Sequence, residues 1–132
     1  MYNSIHGIGT DLVEVARIER MIGKWGDRFL KRVFTAGEII YCEKKACPPQ
    51  HYAARFAVKE AFLKSIGMGL FSGLSLRNIE VVNTVEGRPK LSVHGNAHEI
   101  IDALDIRESH VSISHTNNFA TAVVVLEKSK TL

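Results

Sequence analysis

Residues 50–67 read QHYAARFAVKEAFLKSIG, and this stretch decides the fold. At about 100° per residue, Tyr52, Ala53, Phe56, Ala57, Val58, Ala61, Phe62, Leu63 and Ile66 put apolar side chains around nearly the whole circumference, the pattern of a buried helix. Pro48 and Pro49 suit its first turn, and Gly67 suits its C-terminal stop. Such a helix needs other layers around it. Before it, Ile5 to Leu12 reads as a strand, with Gly7 and Gly9 leaving room for a backbone or a ligand to approach, and Asp11 near its C-terminal end. Val15 to Phe29 follows as an amphipathic helix weakened at Gly23 and Gly26, and Thr35 with Glu38 is a capping box opening a helix to about Lys45. After the buried helix, Asn78 to Thr84 and Lys90 to His94 flank a turn at Glu86-Gly87 and make a hairpin. Asn96 with Glu99 is a capping pair for a short helix, His110 to Thr116 alternates as a strand, and Phe119 to Glu127 reads as a final, fully buried strand. The order gives an α+β fold with a mainly antiparallel sheet and one long buried helix.

The 132 residues, 45% hydrophobic and 23% charged, suit one compact domain spanning 1–132 and exclude disorder as the main state. No apolar run approaches the roughly 20 residues of a membrane span, and MYNSIHGIGT lacks the basic flank and apolar centre of a signal peptide. A cytoplasmic protein with no membrane partner is the expectation. Cys42 and Cys47 match neither C-x-x-C nor a zinc knuckle, so reduced thiols without a chemical role are expected. Lysine plus arginine number 17 against 14 acids, and the net charge of +3 favours a phosphorylated ligand, nucleic acid or acidic protein as partner.

An ionised Glu60 on a nearly all-apolar helix requires a compensating cation. One reading pairs it with Lys64 as an i, i+4 ion pair on an exposed strip. The other joins it to Asp11, since two carboxylates suffice for Mg²⁺, which fills its remaining positions with water and phosphate oxygens. Gly67-Met68-Gly69 likewise has two readings, a helix cap or a place where a phosphate chain passes against backbone beside Lys59 and Lys64; G-K-[ST] is absent, so it is not a P-loop. His115 shares a strand face with Val111 and Ile113 and reads either as a packing residue or as a ligand contact. Ser112 and Ser114 lie on the opposite face, and no G-x-S-x-G elbow occurs, which disfavours serine catalysis. Arg17, Arg20, Lys24 and Arg28 fall within about 80° on the wheel of the first helix, beside Met21 and apart from Glu14 and Glu19.

Several segments together carry a family likeness: Gly7-Ile8-Gly9-Thr10-Asp11 with Glu14 and Arg17-Ile18, Arg55 through Lys64, Gly87-Arg88-Pro89, and Ser112-Ile113-Ser114-His115-Thr116. In this order and spacing the chain, from Ile5 to Glu127, resembles the holo-[acyl-carrier-protein] synthases, the short bacterial type of 4'-phosphopantetheinyl transferase. It departs from them in reading Gly67-Met68-Gly69 where Gly-Thr-Gly is usual, and from Glu43 to His51, which matches nothing firmly. The resemblance implies a phosphopantetheinyl transferase-like fold and transfer of the 4'-phosphopantetheine arm of coenzyme A to a serine of apo acyl carrier protein, releasing adenosine 3',5'-bisphosphate. It implies Mg²⁺ on Asp11 and Glu60, with Lys64 as a third catalytic group. Coenzyme A would meet Arg55, Lys59, Lys64, Gly67, Gly69 and His115, and the carrier protein would dock on Arg17, Arg20, Met21, Lys24 and Arg28. The serine's proton would pass to a water on the metal or to a carboxylate. A homotrimer with sites shared between neighbours is implied as well. The alternative is a small basic module for nucleic acid; no interleaved aromatic platform or helix-turn-helix supports it, and it leaves Asp11 and Glu60 without a role.

Overall fold

The computed structural model describes residues 2–69 and 73–130. Strand β1 (Tyr2–Glu14) leads into α1 (Val15–Trp25), α2 (Asp27–Val33), α3 (Ala36–Glu43) and the long α4 (Pro48–Ser65). A single 3-10 turn precedes the hairpin β2 (Ile79–Asn83) and β3 (Pro89–Val93), then come α5 (Gly95–Ala103), β4 (Ile106–His115) and β5 (Phe119–Lys130). The strands form a three-stranded antiparallel sheet in the order β1-β5-β4 and a separate two-stranded sheet β2-β3. Helix α4 lies against the three-stranded sheet and is buried from Tyr52 to Lys59 and at Ala61, Phe62, Leu63 and Ser65. The expected α+β class and the buried helix are both present.

Glycine makes this layer contact close. Odd-numbered residues of β1 from Gly7 to Val13 face α4, and a Cβ at Gly9 would overlap the Ala61 carbonyl oxygen, one at Gly7 that of Ser65. Of the two visitors these glycines admit, the helix backbone occupies the place.

Four expectations need correcting. β1 runs on to Glu14, so Asp11 stands within the strand rather than near its end. The first helix stops at Trp25, because Gly26 turns the chain at φ 54°, a left-handed conformation costly for any side chain; Arg28 therefore sits on α2. Asn96 does not cap α5: the helix starts at Gly95 after His94, with no side-chain cap. Nor is β5 fully buried. Ala120, Ala122, Val124 and Leu126 pack inward, whereas Phe119 is 46% exposed, Val123 37% and the neighbouring Leu12 of β1 66%. An all-apolar run signals strand without saying that both faces are covered.

The Thr35 capping box forms as read, Glu38 N–H donating to Thr35 Oγ1 at 3.2 Å and Thr35 N–H to Glu38 Oε1 at 2.9 Å. α3 ends at Glu43, short of Lys45. Cys42 is buried, which pushes its thiol up to about 12, and both cysteines are free.

Candidate active site

Because α4 rides directly on β1, Asp11 comes beside the Glu60–Lys64 turn. Lys64 Nζ donates to Asp11 Oδ1 at 3.1 Å and to the Thr10 carbonyl at 3.0 Å. Among the described residues the i, i+4 pair with Glu60 does not form; the lysine crosses to the strand. Burial, and next the charge of Asp11, raise the Glu60 carboxyl above its ordinary value, with Arg17 and Lys64 pulling the other way. Two carboxylates thus share a half-buried place with one ammonium. A hard divalent cation fits that donor set, since Mg²⁺ asks for one or two carboxylates and completes its shell with water and phosphate oxygens. Among the described residues no three His, Cys, Asp or Glu side chains gather, so the rest of the shell would have to come from water and ligand oxygens.

Gly67 follows α4 as a Schellman cap at φ 78°, with Met68 N–H donating to Leu63 O at 2.8 Å and Gly67 N–H to Lys64 O at 3.1 Å. The cap alone accounts for Gly67. Gly69 is exposed, with open space about it.

Lys59 is the clear correction. It is fully buried, and its ammonium donates to Glu38 Oε1 at 2.8 Å, Leu76 O at 2.9 Å and Ile79 O at 2.6 Å. All three donors are used, so no proton is left for coenzyme A. Burial lowers its pKa, and Glu38 opposes the shift. Glu38 also accepts from Val81 N–H at 3.0 Å, so one ion pair ties α3, α4 and β2 together. Lys59→Ala should therefore cost about 3–5 kcal/mol in denaturant unfolding, as expected when a buried charge loses its partner. Unchanged stability with weakened coenzyme A binding would return Lys59 to the ligand.

A second group of side chains lies elsewhere. A groove of about 400 Å³ is lined by Tyr41, His51, Arg55, Arg88, Pro89 and His115 among others. His51 and His115 meet edge to face at 5.3 Å. Burial lowers the His51 pKa, helped by the charges of His115, Lys45 and Arg55. The Arg55 guanidinium stacks on Tyr41 at 3.9 Å, and Lys45 Nζ lies 4.5 Å from the same ring. The groove is an anion site in character. Arg55 and Lys64 are nine residues apart, about 180° round the helix, so α4 holds this groove on one side and the carboxylate pair on the other. Sequence reasoning does not single out Tyr41, His51 or Asn83, and it reaches Arg88 only through the Gly87-Arg88-Pro89 likeness. The basic residues of the unmatched Glu43 to His51 stretch are the available signal.

On α1 the basic stripe is exposed, with Arg17 over the Phe56 ring at 5.8 Å. Glu14 is not set apart as expected, since its carboxylate lies 3.5 Å from Arg20. Trp25 is 43% exposed, and Lys24 and Arg28 flank its ring at 5.1 and 5.7 Å. Met21, Trp25, Arg28, Phe29 and Arg32 line an apolar groove of about 310 Å³ there.

Paired carboxylates beside a lysine, together with a basic groove, are the equipment of an α+β protein that handles phosphoryl groups. Residues 7–124 match the family model of the 4'-phosphopantetheinyl transferase superfamily, and the chain belongs to that family. It is similar to the holo-[acyl-carrier-protein] synthase of Syntrophus aciditrophicus, 52% identical over 126 residues that cover 96% of this chain and 98% of that one. The crystal structure of the Neisseria meningitidis holo-[acyl-carrier-protein] synthase superposes with a TM-score of 0.87 at 34% identity, covering 95% of this chain and 100% of that one. The Helicobacter pylori synthase, in complex with coenzyme A, superposes with a TM-score of 0.80 at 34% identity over 90% of this chain and 98% of that one.

Proposed function

We propose that this chain transfers the 4'-phosphopantetheine arm of coenzyme A to a serine of apo acyl carrier protein, with Mg²⁺ on Asp11 and Glu60, as a cytoplasmic homotrimer. The observation that carries the reading is Asp11, held by Lys64 and facing Glu60, across the close contact of β1 and α4. The partner's serine oxygen attacks the β-phosphorus of coenzyme A, the P–O bond to the α-phosphate breaks, and adenosine 3',5'-bisphosphate leaves. Mg²⁺, when bound, neutralises charge developing on the phosphate oxygens. Lys64 adds positive charge beside Asp11 and holds its carboxylate by the bond to Oδ1. Arg55 and His115 hold the nucleotide end, and the serine proton passes to a water or to a carboxylate such as Glu60.

The separation of the two half-sites around α4 supports sharing between copies. So does the outer face of the three-stranded sheet, where Ile5, Ile8, Leu12, Phe119 and Val123 are exposed together. Mixing an inactive Asp11→Asn variant with an Arg55→Ala variant, at coenzyme A too dilute for the latter to bind and under conditions of subunit exchange, should restore activity. Mixtures as dead as their parents would place each complete site within one chain.

The basic face of α1 and the apolar groove at Trp25 suit an acidic helical partner. Complementary charge acts mainly on encounter rate and partner choice. Reversing Arg17 and Lys24 to Glu should raise KM for the carrier protein at least about tenfold at low salt, leave coenzyme A binding unchanged, and lose effect as salt screens the surface. Normal use of carrier protein by this variant at low ionic strength would move the docking face elsewhere. As a test of the whole reading, coenzyme A with Mg²⁺ should raise Tm, as a ligand bound only by the folded state must, whereas DNA and RNA should not. The reverse result would favour a nucleic-acid module.

A further inference from the structure

Asn83 closes β2 and looks, in sequence, like an ordinary turn residue. Its side chain does two things at once. Oδ1 accepts from Arg55 Nη2 at 2.6 Å, and Nδ2 donates to the Gly87 carbonyl at 3.1 Å. One amide therefore ties α4 to the loop between the hairpin strands, the loop that presents Arg88 and Pro89 to the basic groove.

The bond matters because of how Arg55 is placed. The residue is buried, Tyr41 covers one face of its guanidinium, and among the described residues Nε has no partner. Among the described residues Asn83 is the sole hydrogen-bond partner of Arg55. A guanidinium has five donors in a fixed plane. Stacking on Tyr41 sets the plane but leaves rotation within it free; the bond from Nη2 removes that rotation and decides which donors remain for a ligand. The loop is braced from within as well, Thr84 N–H donating to Arg88 O at 2.9 Å and Arg88 N–H to Thr84 Oγ1 at 3.1 Å. Asn83 joins this rigid loop to the arginine rather than stiffening the loop itself.

We infer that Asn83 is a positioning residue for coenzyme A: through its bonds to Arg55 and Gly87 it fixes the guanidinium and the Arg88-Pro89 wall of the groove at one mutual orientation. The inference rests on the transferase reading above. It acts on binding of the nucleotide end, common to ground and transition states, and so on KM more than on kcat.

A double-mutant cycle tests it. Coenzyme A affinity is measured by calorimetry for the wild type, Asn83→Ala, Arg55→Ala and the double variant, with Tm and steady-state kinetics for each. Asn83→Ala should weaken coenzyme A about ten- to a hundredfold, the range for a hydrogen bond to a charged group, while kcat at saturation stays within about twofold. In the Arg55→Ala background the Asn83 substitution should have almost no further effect, because it works through the arginine. Effects that multiply, or an unchanged affinity, overturn the inference and leave the transferase reading standing. A wild type that does not bind coenzyme A overturns both. Should Asn83→Ala fail to fold, Asn83→Ser completes the same cycle.

Discussion

Asp11→Asn and Glu60→Gln should each lower transfer by more than about 100-fold, beyond the 10- to 100-fold lost when an outer partner of a metal ligand is removed. Their stabilities should diverge. Glu60→Gln removes a carboxylate that burial and the charge of Asp11 both disfavour, so without metal its Tm should equal or exceed that of the wild type. Asp11→Asn gives up the half-exposed pair with Lys64 and should cost at most about 1 kcal/mol. Loss of activity with retained or raised stability marks residues placed for chemistry rather than for folding. Excess chelator should stop the wild type in the same way, and equal activity with and without chelator would remove the metal from the account.

The second large effect is on folding. Gly9→Ala should destabilise the chain by about 4 kcal/mol or more, at the extreme of single substitutions and comparable to the whole stability of many domains. Its Cβ would meet the backbone of Ala61 and the Ser65 nitrogen, and a helix backbone cannot step aside as a side chain does. α4 would have to lift from β1, separating Asp11 from Glu60. Gly23→Ala is the matching control: nothing stands within 4 Å of its added Cβ, so it should stabilise α1 by about 0.5–1 kcal/mol. Equal denaturation midpoints for Gly9→Ala and wild type would contradict the close contact on which the site is built.

Local signals carry far in this sequence. The Thr35 capping box, the all-round apolar pattern of α4 and the Gly7, Gly9 alternation each depend on residues a few positions apart, and each corresponds to a feature of the fold. Long-range partners leave no such trace. Lys59 stands beside Glu60 on a helix whose other basic residues past the first turn are Arg55 and Lys64. Nothing in that pattern tells it from a ligand-binding lysine until Glu38 and two distant carbonyls are seen around it. Asn83 is hidden for the same reason, since its partners lie 28 residues before it and four after. Composition does not decide between Gly23 and Gly26 as the break in the first helix either, because both glycines weaken a helix and only packing selects the one that turns.

The most direct measurement is the mass of an apo acyl carrier protein after incubation with this protein, coenzyme A and Mg²⁺. The account predicts a gain of one phosphopantetheinyl group on the carrier's serine, equal release of adenosine 3',5'-bisphosphate, and no gain with Asp11→Asn. An unmodified carrier, under conditions where coenzyme A raises the Tm of the wild-type protein, would contradict it.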